Sequence, residues 1–379
     1  SFLLYFKYPN FLLENTNWLL LTHFEPVDLF LPIGISFYTF QSISYIVDVY
    51  RGEIRSSKSF LDYAFYMTFF PHLVAGPIVR AKDFLGQINS PENLDARRYK
   101  ESLFRIVTGL IKKLLIADYL GKYVDMVFDN PALYTGGENL LGALAYSFQI
   151  YFDFSGYSDI AIGLALLLGY RLKENFENPY GSSNVTEFWR KWHISLSTWL
   201  RDYVYIPLGG NRKGALNTYL FLLITMLVGG FWHGASWQFV CWGAAHGLAL
   251  ALHKAIHKHL PEGKWMDFLG GIFTFSFVTF CWIFFRARDF DTALLLLNQM
   301  ASATSETDFV GFWISRNELA ILLVALLSWT IIPGNWKRKA FELTFYVPSF
   351  FWFFFLLAAL QLIIQFRDTL VQPFIYFQF

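Results

Sequence analysis

The sequence predicts an all-α protein that crosses a membrane several times, and three observations carry that prediction. Of its 379 residues, 55% are hydrophobic and 16% charged, against about 25% charged in an ordinary soluble domain. The apolar residues fall in long runs separated by short basic connections, the pattern of helices that traverse a bilayer and turn at its surface. One run, residues 214–253, contains no Asp, Glu, Lys or Arg and exceeds the roughly 20 residues that a crossing needs. With 43 Phe and 13 Trp, this is the composition of an integral membrane protein and not of a large soluble core.

The candidate membrane helices follow in order. Residues 2–23 open in apolar sequence (SFLLYFKYPNFLL) with no charged leader or small-residue cleavage site, so they do not read as a signal peptide. The chain starts without Met, and further helices are expected upstream. Residues 27–49 end at the basic cluster 51–58. Residues 60–79 run to the cluster 80–82 but carry two prolines and a glycine in PHLVAGP, residues 71–77. Residues 102–120 follow the cluster 97–100 and contain Lys112 and Lys113. Residues 138–170 are expected as two pieces, because Asp153 and Asp159 fall between apolar stretches, and they end at 171–173. Residues 215–231, 236–259, 267–286, 316–333 and 345–366 complete the set, with a last basic cluster at 337–339. Such clusters tend to mark the cytoplasmic side.

Residues 175–213 do not form a simple spanning helix, because they mix aromatics with Glu187, Arg190, Lys191, Arg201, Asp202, Arg212 and Lys213. Irregular polar backbone at membrane depth survives only when buried in protein or lining a cavity. The breaks at 70–77, 153–159 and 175–213 therefore predict a bundle with a polar interior path. No internal repeat and no low-complexity linker interrupts the chain, so residues 1–379 read as a single domain.

Several function classes drop out. A net charge of +1 gives no field that would draw nucleic acid. Cys241 and Cys281 lie in apolar stretches and read as small buried hydrophobes. There is no CxxC, no HExxH and no Gly-rich phosphate loop, so neither a metal nor a bound cofactor is expected.

The chemistry concentrates at two places. His233 lies in the middle of the uncharged run, where a ring nitrogen is costly unless paired or used. A neutral imidazole there meets the requirement for a general base. Gly229, Gly230 and Gly234 leave room for close approach of backbone or substrate. A plain hydrogen bond to a neighbouring helix is the competing role. The second place is residues 186–203. Read as one helix, it pairs Glu187 with Arg190 and sets Arg190, His193 and Ser197 on a common stripe. Trp189, Trp192 and Trp199 supply apolar mass, and Arg201 and Asp202 form an adjacent charged pair. The sequence GGNRKG, residues 209–214, reads as a tight basic turn. Its Arg212 and Lys213 are candidates to hold phosphate on a cytosolic donor, or else mark an interfacial loop.

The segments PHLVAGPIVR (71–80), YFDFSGYSDIAIG (151–163), ENFENPY (174–180), FWRKWHISLSTWLRDYVYIPLGGNRKG (188–214) and GGFWHGASW (229–237) resemble the membrane-bound O-acyltransferase family. The likeness is to the branch of the alginate O-acetylase and peptidoglycan O-acetyltransferase membrane subunits. The resemblance implies a helical bundle around a transmembrane tunnel and acyl transfer from a cytosolic thioester, acetyl-coenzyme A or an acylated carrier. It implies that His233, of the WHG motif, is catalytic and that His193 accompanies it as a polar residue; His193, or else a tunnel hydroxyl, is a candidate donor to the developing oxyanion. Asp153, Ser155, Trp232 and Ser197 are candidate tunnel-lining residues, although Asp153 and Asp159 fit structural pairing slightly better. The implied setting is a bacterial cytoplasmic membrane, with an extracytoplasmic partner transferase that passes acetyl to a surface polysaccharide, alginate-like or peptidoglycan. Three other readings stand beside this one. They are D-alanyl transfer to teichoic acid, a proton-coupled transporter using His193, His233, Asp153 and Asp159, and a non-catalytic anchor. His246 is expected to be structural, and His253, His257 and His259 to form a solvated helix end.

Overall fold

The computed structural model describes residues 2–29, 32, 34–73, 76–302, 311, 316–367 and 372–375; their regular structure is helical, with no strand among them. The helices are α1 (Phe2–Lys7), α2 (Pro9–Leu20), α3 (Ile35–Tyr50), α4 (Phe60–Thr68), α5 (Phe70–Leu73), α6 (Ala81–Ile88) and α7 (Ala96–Leu110). A π-helical stretch, Ile111–Ala117, carries α7 directly into α8 (Asp118–Asp129). Then come α9 (Gly136–Leu167), α10 (Val185–Lys191), α11 (Ile194–Leu200), α12 (Ile206–Leu208), α13 (Ala215–His233), α14 (Trp237–Ile256) and α15 (Lys264–Arg286). The last four are α16 (Phe290–Ala301), α17 (Asn317–Ile331), α18 (Gly334–Thr344) and α19 (Ser349–Phe366).

Five of these, α9, α13, α14 with its 3-10 extension to His259, α15 and α19, are long and apolar enough to cross a membrane. α17 and α18 meet at a bend of 98° and make a sixth candidate as a broken pair. The expected spans at 215–231, 236–259, 267–286 and 345–366 are therefore present. The expected span at 2–23 is two short helices, because Pro9 cannot continue α1 and instead starts α2. Of 27–49, only the part from Ile35 is helical, and 60–79 is split at Phe69, whose backbone is extended. Residues 102–120 belong to the longer continuous helix that α7 and α8 share.

Residues 138–170 do not divide into two pieces. α9 is one helix of 32 residues, opened by a capping box between Thr135 and Glu138. The carboxylates that were expected to break it are paired instead. Lys112 bonds Asp159 at 2.5 Å, and Lys113 reaches both Asp153 at 2.6 Å and Asp118 at 2.8 Å. A neutralised carboxylate can ride on a continuous helix at low cost, whereas an unpaired one could not. α9 thus forms the central post of the bundle, and α7, α8, α15 and α16 pack around it.

α13 and α14 form an antiparallel hairpin held close by glycine. A Cβ on Gly230 would lie 2.2 Å from the Phe239 carbonyl oxygen, so only hydrogen fits there. The turn between them is equally tight, since a Cβ on Gly234 would meet the Phe239 ring at 2.0 Å. That turn ends α13 at His233 and leaves the ring facing inward, among Trp232, Trp242 and Phe285.

Candidate active site

Two buried histidines flank one indole. The His233 ring lies 4.9 Å from the Trp232 ring and the His193 ring lies 6.4 Å from it, centroid to centroid. Trp232 also stacks on Phe40 at 5.0 Å, which in turn stacks on Trp199 at 3.8 Å. The Trp232 Nε1 donor is buried with no protein acceptor among the described residues. His193 and His233, forty residues apart in the chain, are thus brought to one place in the core.

His193 arrives there by a break, not by a helical stripe. The predicted helix over 186–203 stops at Trp192, and His193 adopts a left-handed backbone with φ of 41°. That conformation is uncommon for a residue other than glycine and needs local support. Asn175 supplies it. Its carbonyl oxygen accepts from Ile194 N–H at 2.9 Å. Its side-chain Oδ1 accepts from Ser195 N–H at 3.1 Å and from Ser195 Oγ at 2.8 Å. The common stripe of Arg190, His193 and Ser197 therefore does not form. Glu187 pairs with Lys191 at 2.6 Å and not with Arg190.

The same Oδ1 lies 3.2 Å from His193 Nδ1. The Ser195 backbone N–H can only donate, so the atom facing it must be the amide oxygen. Nδ1 of a neutral His193 then carries the proton, and Nε2 keeps the lone pair. In this tautomer His193 accepts at Nε2; it does not present an N–H to an oxyanion. Asn175 sits in the ENFENPY segment, which carried no assigned role in the sequence reading, and only its place in that motif pointed to it.

A cavity of about 850 Å³ opens between α10, α11, α13 and α14, and His193, Trp232 and His233 are not among the residues that line it. Ser197, Thr198, Thr225 and Met226 line it, along with Arg190, Arg201, Lys254, His253 and His257. Of the four tunnel-lining candidates, Ser197 lies on this wall and Trp232 between the two histidines. Asp153 is buried in the Lys113 ion cluster and accepts from Ile375 N–H at 2.9 Å. Ser155 is buried on α9. His253 and His257, expected as a solvated helix end, stand on the cavity wall with Lys254. His246 accepts from Trp189 Nε1 at 3.2 Å, in keeping with a structural part.

Arg212 and Lys213 are exposed on the turn at 209–214, outside the cavity lining. Asn211 joins the two, because it lines the cavity and accepts from Lys254 Nζ at 2.8 Å. A second cavity, of about 460 Å³, shares Ile194, Thr198 and Arg201 with the first and includes Arg80 and Asp202. Arg80 bonds Asp202 at 2.6 Å, and so does Arg201. Burial pushes the Asp202 carboxyl up, but hydrogen bonds from Arg201 and Arg80 outweigh it and hold the group below the usual carboxylate range. Arg201 is thereby tied to Asp202, while Arg190 and Lys254 leave their charge at the cavity mouth. Among the described residues, no three His, Cys, Asp or Glu side chains converge on a metal position.

The family model for MBOAT, the membrane-bound O-acyltransferase family, matches residues 49–288, a region that holds His193, Asn175 and His233. A probable alginate O-acetylase of Pseudomonas putida is 46% identical over 339 residues, covering 85% of this chain and 66% of that protein. A peptidoglycan O-acetyltransferase of Helicobacter pylori is 40% identical over 333 residues, covering 79% of this chain and 62% of that protein. A teichoic acid D-alanyltransferase of Streptococcus thermophilus is 31% identical over 283 residues, covering 67% of this chain and 68% of that protein. The chain spans less than two thirds of the length of the first two relatives.

Proposed function

The chain belongs to the membrane-bound O-acyltransferase family, and on that premise we propose that it moves acetyl groups from a cytosolic thioester across a bacterial cytoplasmic membrane for O-acetylation of a surface polysaccharide. The observation that carries the reading is the pairing of buried His193 and His233 about Trp232, with a basic-mouthed cavity that reaches Ile194, next to His193, and Met226, on the helix that ends at His233. The higher identity to the polysaccharide O-acetylating relatives, 46% and 40% against 31% for the D-alanyl transferase, favours acetyl over D-alanyl as the group carried.

In this reading, acetyl-coenzyme A or an acylated carrier docks with its phosphate at Arg190 and Lys254, next to the turn that bears Arg212 and Lys213. Met226 on the inner wall precedes His233 by seven residues, which at 1.5 Å per residue is about 10 Å along α13. A donor with its phosphates at the mouth and its thioester on a long arm suits that spacing. His233 takes the proton of an attacking hydroxyl as its oxygen bonds to the acetyl carbon. The carbonyl oxygen gains negative charge and the buried Trp232 indole N–H is the candidate donor to it. The carbon–sulfur bond then breaks, and the thiolate leaves with the proton that His233 held. His193, with its lone pair at Nε2, orients the acceptor hydroxyl. The attacking hydroxyl belongs to the extracytoplasmic partner transferase, which thereby carries the acetyl as an ester and gives it up to a polymer hydroxyl, regaining its own hydroxyl.

The test is polymer acetyl content in cells carrying the chain with His233→Ala or His233→Gln. Both variants accumulate in the membrane and acetylation is lost. Near-normal acetylation by well-expressed His233→Ala refutes the assignment of His233 as base, and an anchor or transporter reading then takes its place.

A further inference from the structure

The end of the helix that delivers His233 is closed from outside the region that the family model covers. An α-helix leaves its last four carbonyls without backbone donors. α13 ends at His233, where the Gly234 N–H donates to the Gly230 carbonyl at 3.4 Å and the chain then turns away in an extended conformation, which leaves the carbonyls of 231–233 to other donors. These three are met by two consecutive residues at the break between α1 and α2. Tyr8 Oη donates to the Phe231 carbonyl at 2.9 Å. Lys7 Nζ donates to the Trp232 carbonyl at 2.8 Å and to the His233 carbonyl at 2.7 Å. The Tyr8 ring also stacks on Phe231 with centroids 4.3 Å apart, and Asn15 accepts from Trp237 Nε1 at 3.0 Å just past the turn.

We propose that Lys7 is a positioning residue for the reaction: its ammonium closes the C-terminal end of α13 and sets where the His233 and Trp232 side chains stand. This rests on the reading of His233 as the base. The physical grounds are threefold. A cation at a helix C-terminus is favoured by the helix dipole. Hydrogen bonds from a charged donor are about twice as strong as neutral ones. Both carbonyls belong to residues placed at the reacting centre, so a frayed last turn displaces base and oxyanion donor together. Burial lowers the Lys7 ammonium to about 8, which leaves it charged at neutral pH. Pro9 fixes the break that turns Lys7 and Tyr8 toward α13.

The experiment uses membrane vesicles carrying the full chain, thiol release from acetyl-coenzyme A, and hydrogen exchange of the amides at 230–233. The variants are Lys7→Met, which keeps length without a donor, and Lys7→Arg, which keeps charge and donors. Lys7→Met lowers kcat about tenfold or more, the loss expected for hydrogen bonds to a charged group, while donor KM stays within about twofold, as an effect confined to the transition state requires. The 230–233 amides exchange faster in that variant, and Lys7→Arg recovers both properties. Wild-type kcat in Lys7→Met overturns the proposal, as does a raised KM at unchanged kcat, a slowed Lys7→Met with unaltered exchange, or an Arg variant no better than Met. His233→Ala in the same assay separates the two readings: full activity there removes the catalytic premise, whereas the exchange comparison still reports whether Lys7 closes the helix.

Discussion

Asn175 grips His193 by a single oxygen: Oδ1 accepts from the ring Nδ1 at 3.2 Å while it also accepts from the Ser195 backbone at 3.1 Å. One side chain therefore sets both the left-handed backbone of His193 and its tautomer. The amide nitrogen of Asn175 points the other way, to Ser158 Oγ at 3.4 Å on α9, which ties the loop to the central post.

The first prediction follows from that grip. Asn175→Ala leaves the His193 Nδ1 proton and the Ser195 N–H buried without their acceptor, a loss of about 1–3 kcal/mol. Asn175→Asp keeps an acceptor oxygen and retains more activity. Polymer acetylation is expected to fall roughly tenfold in the Ala variant, with the Asp variant between it and wild type. Equal activity in Asn175→Ala and wild type, at matched membrane abundance, would remove Asn175 from the site.

The long apolar helices were legible because a run without charge over residues 214–253 admits few other structures. His233 was legible for the same reason, a lone ring in that run. The continuous α9 was not, because Asp153 and Asp159 look like interruptions until Lys113 and Lys112, 40 and 47 residues upstream of them, are seen to pair with them. The break at His193 was hidden in a segment with good helical spacing, since what stops the helix is a side chain from Asn175, outside that segment. Lys7 carried no sequence signal at all. Its partners are carbonyls more than two hundred residues away, and main-chain acceptors leave no mark in a sequence.

His72 supplies a pH prediction at a point outside the five candidate spans. It is buried against Phe69 and Phe84, at 5.5 and 5.9 Å between centroids, and burial lowers its pKa from 6.5 to about 4. Above 6.5 the ring is neutral in both folded and unfolded chains, and its contribution to stability is fully present. As pH falls from 6.5 toward 4, the unfolded chain takes up a proton that the folded chain refuses, so stability falls. Thermal unfolding of the solubilised protein is expected to drop between pH 7 and pH 4.5 by less in His72→Phe than in wild type. Identical pH slopes for the two proteins would show that this ring does not contribute.

The last prediction concerns where the donor binds. Arg190 and Lys254 line the 850 Å³ cavity, whereas Arg212 and Lys213 stand outside it on an exposed turn. Phosphate held by an exposed pair competes with water and salt, while charges at the mouth of a cavity of low dielectric act over a longer range. Reversing the cavity pair (Arg190→Glu with Lys254→Glu) is therefore expected to raise donor KM by about tenfold or more with a smaller change in kcat, the signature of lost uniform binding. Reversing Arg212 and Lys213 to Glu is expected to raise KM less, and the effect should fade as salt is added. Both double variants should match wild type in single-turnover transfer at saturating donor, because neither touches His233. If the turn pair carried the larger effect, the donor's phosphates would belong on the turn at 209–214, and the cavity would hold only its arm. If neither pair moved KM, or if accessibility labelling placed this mouth outside the cell, the donor would have to enter elsewhere, and the route along α13 would be wrong.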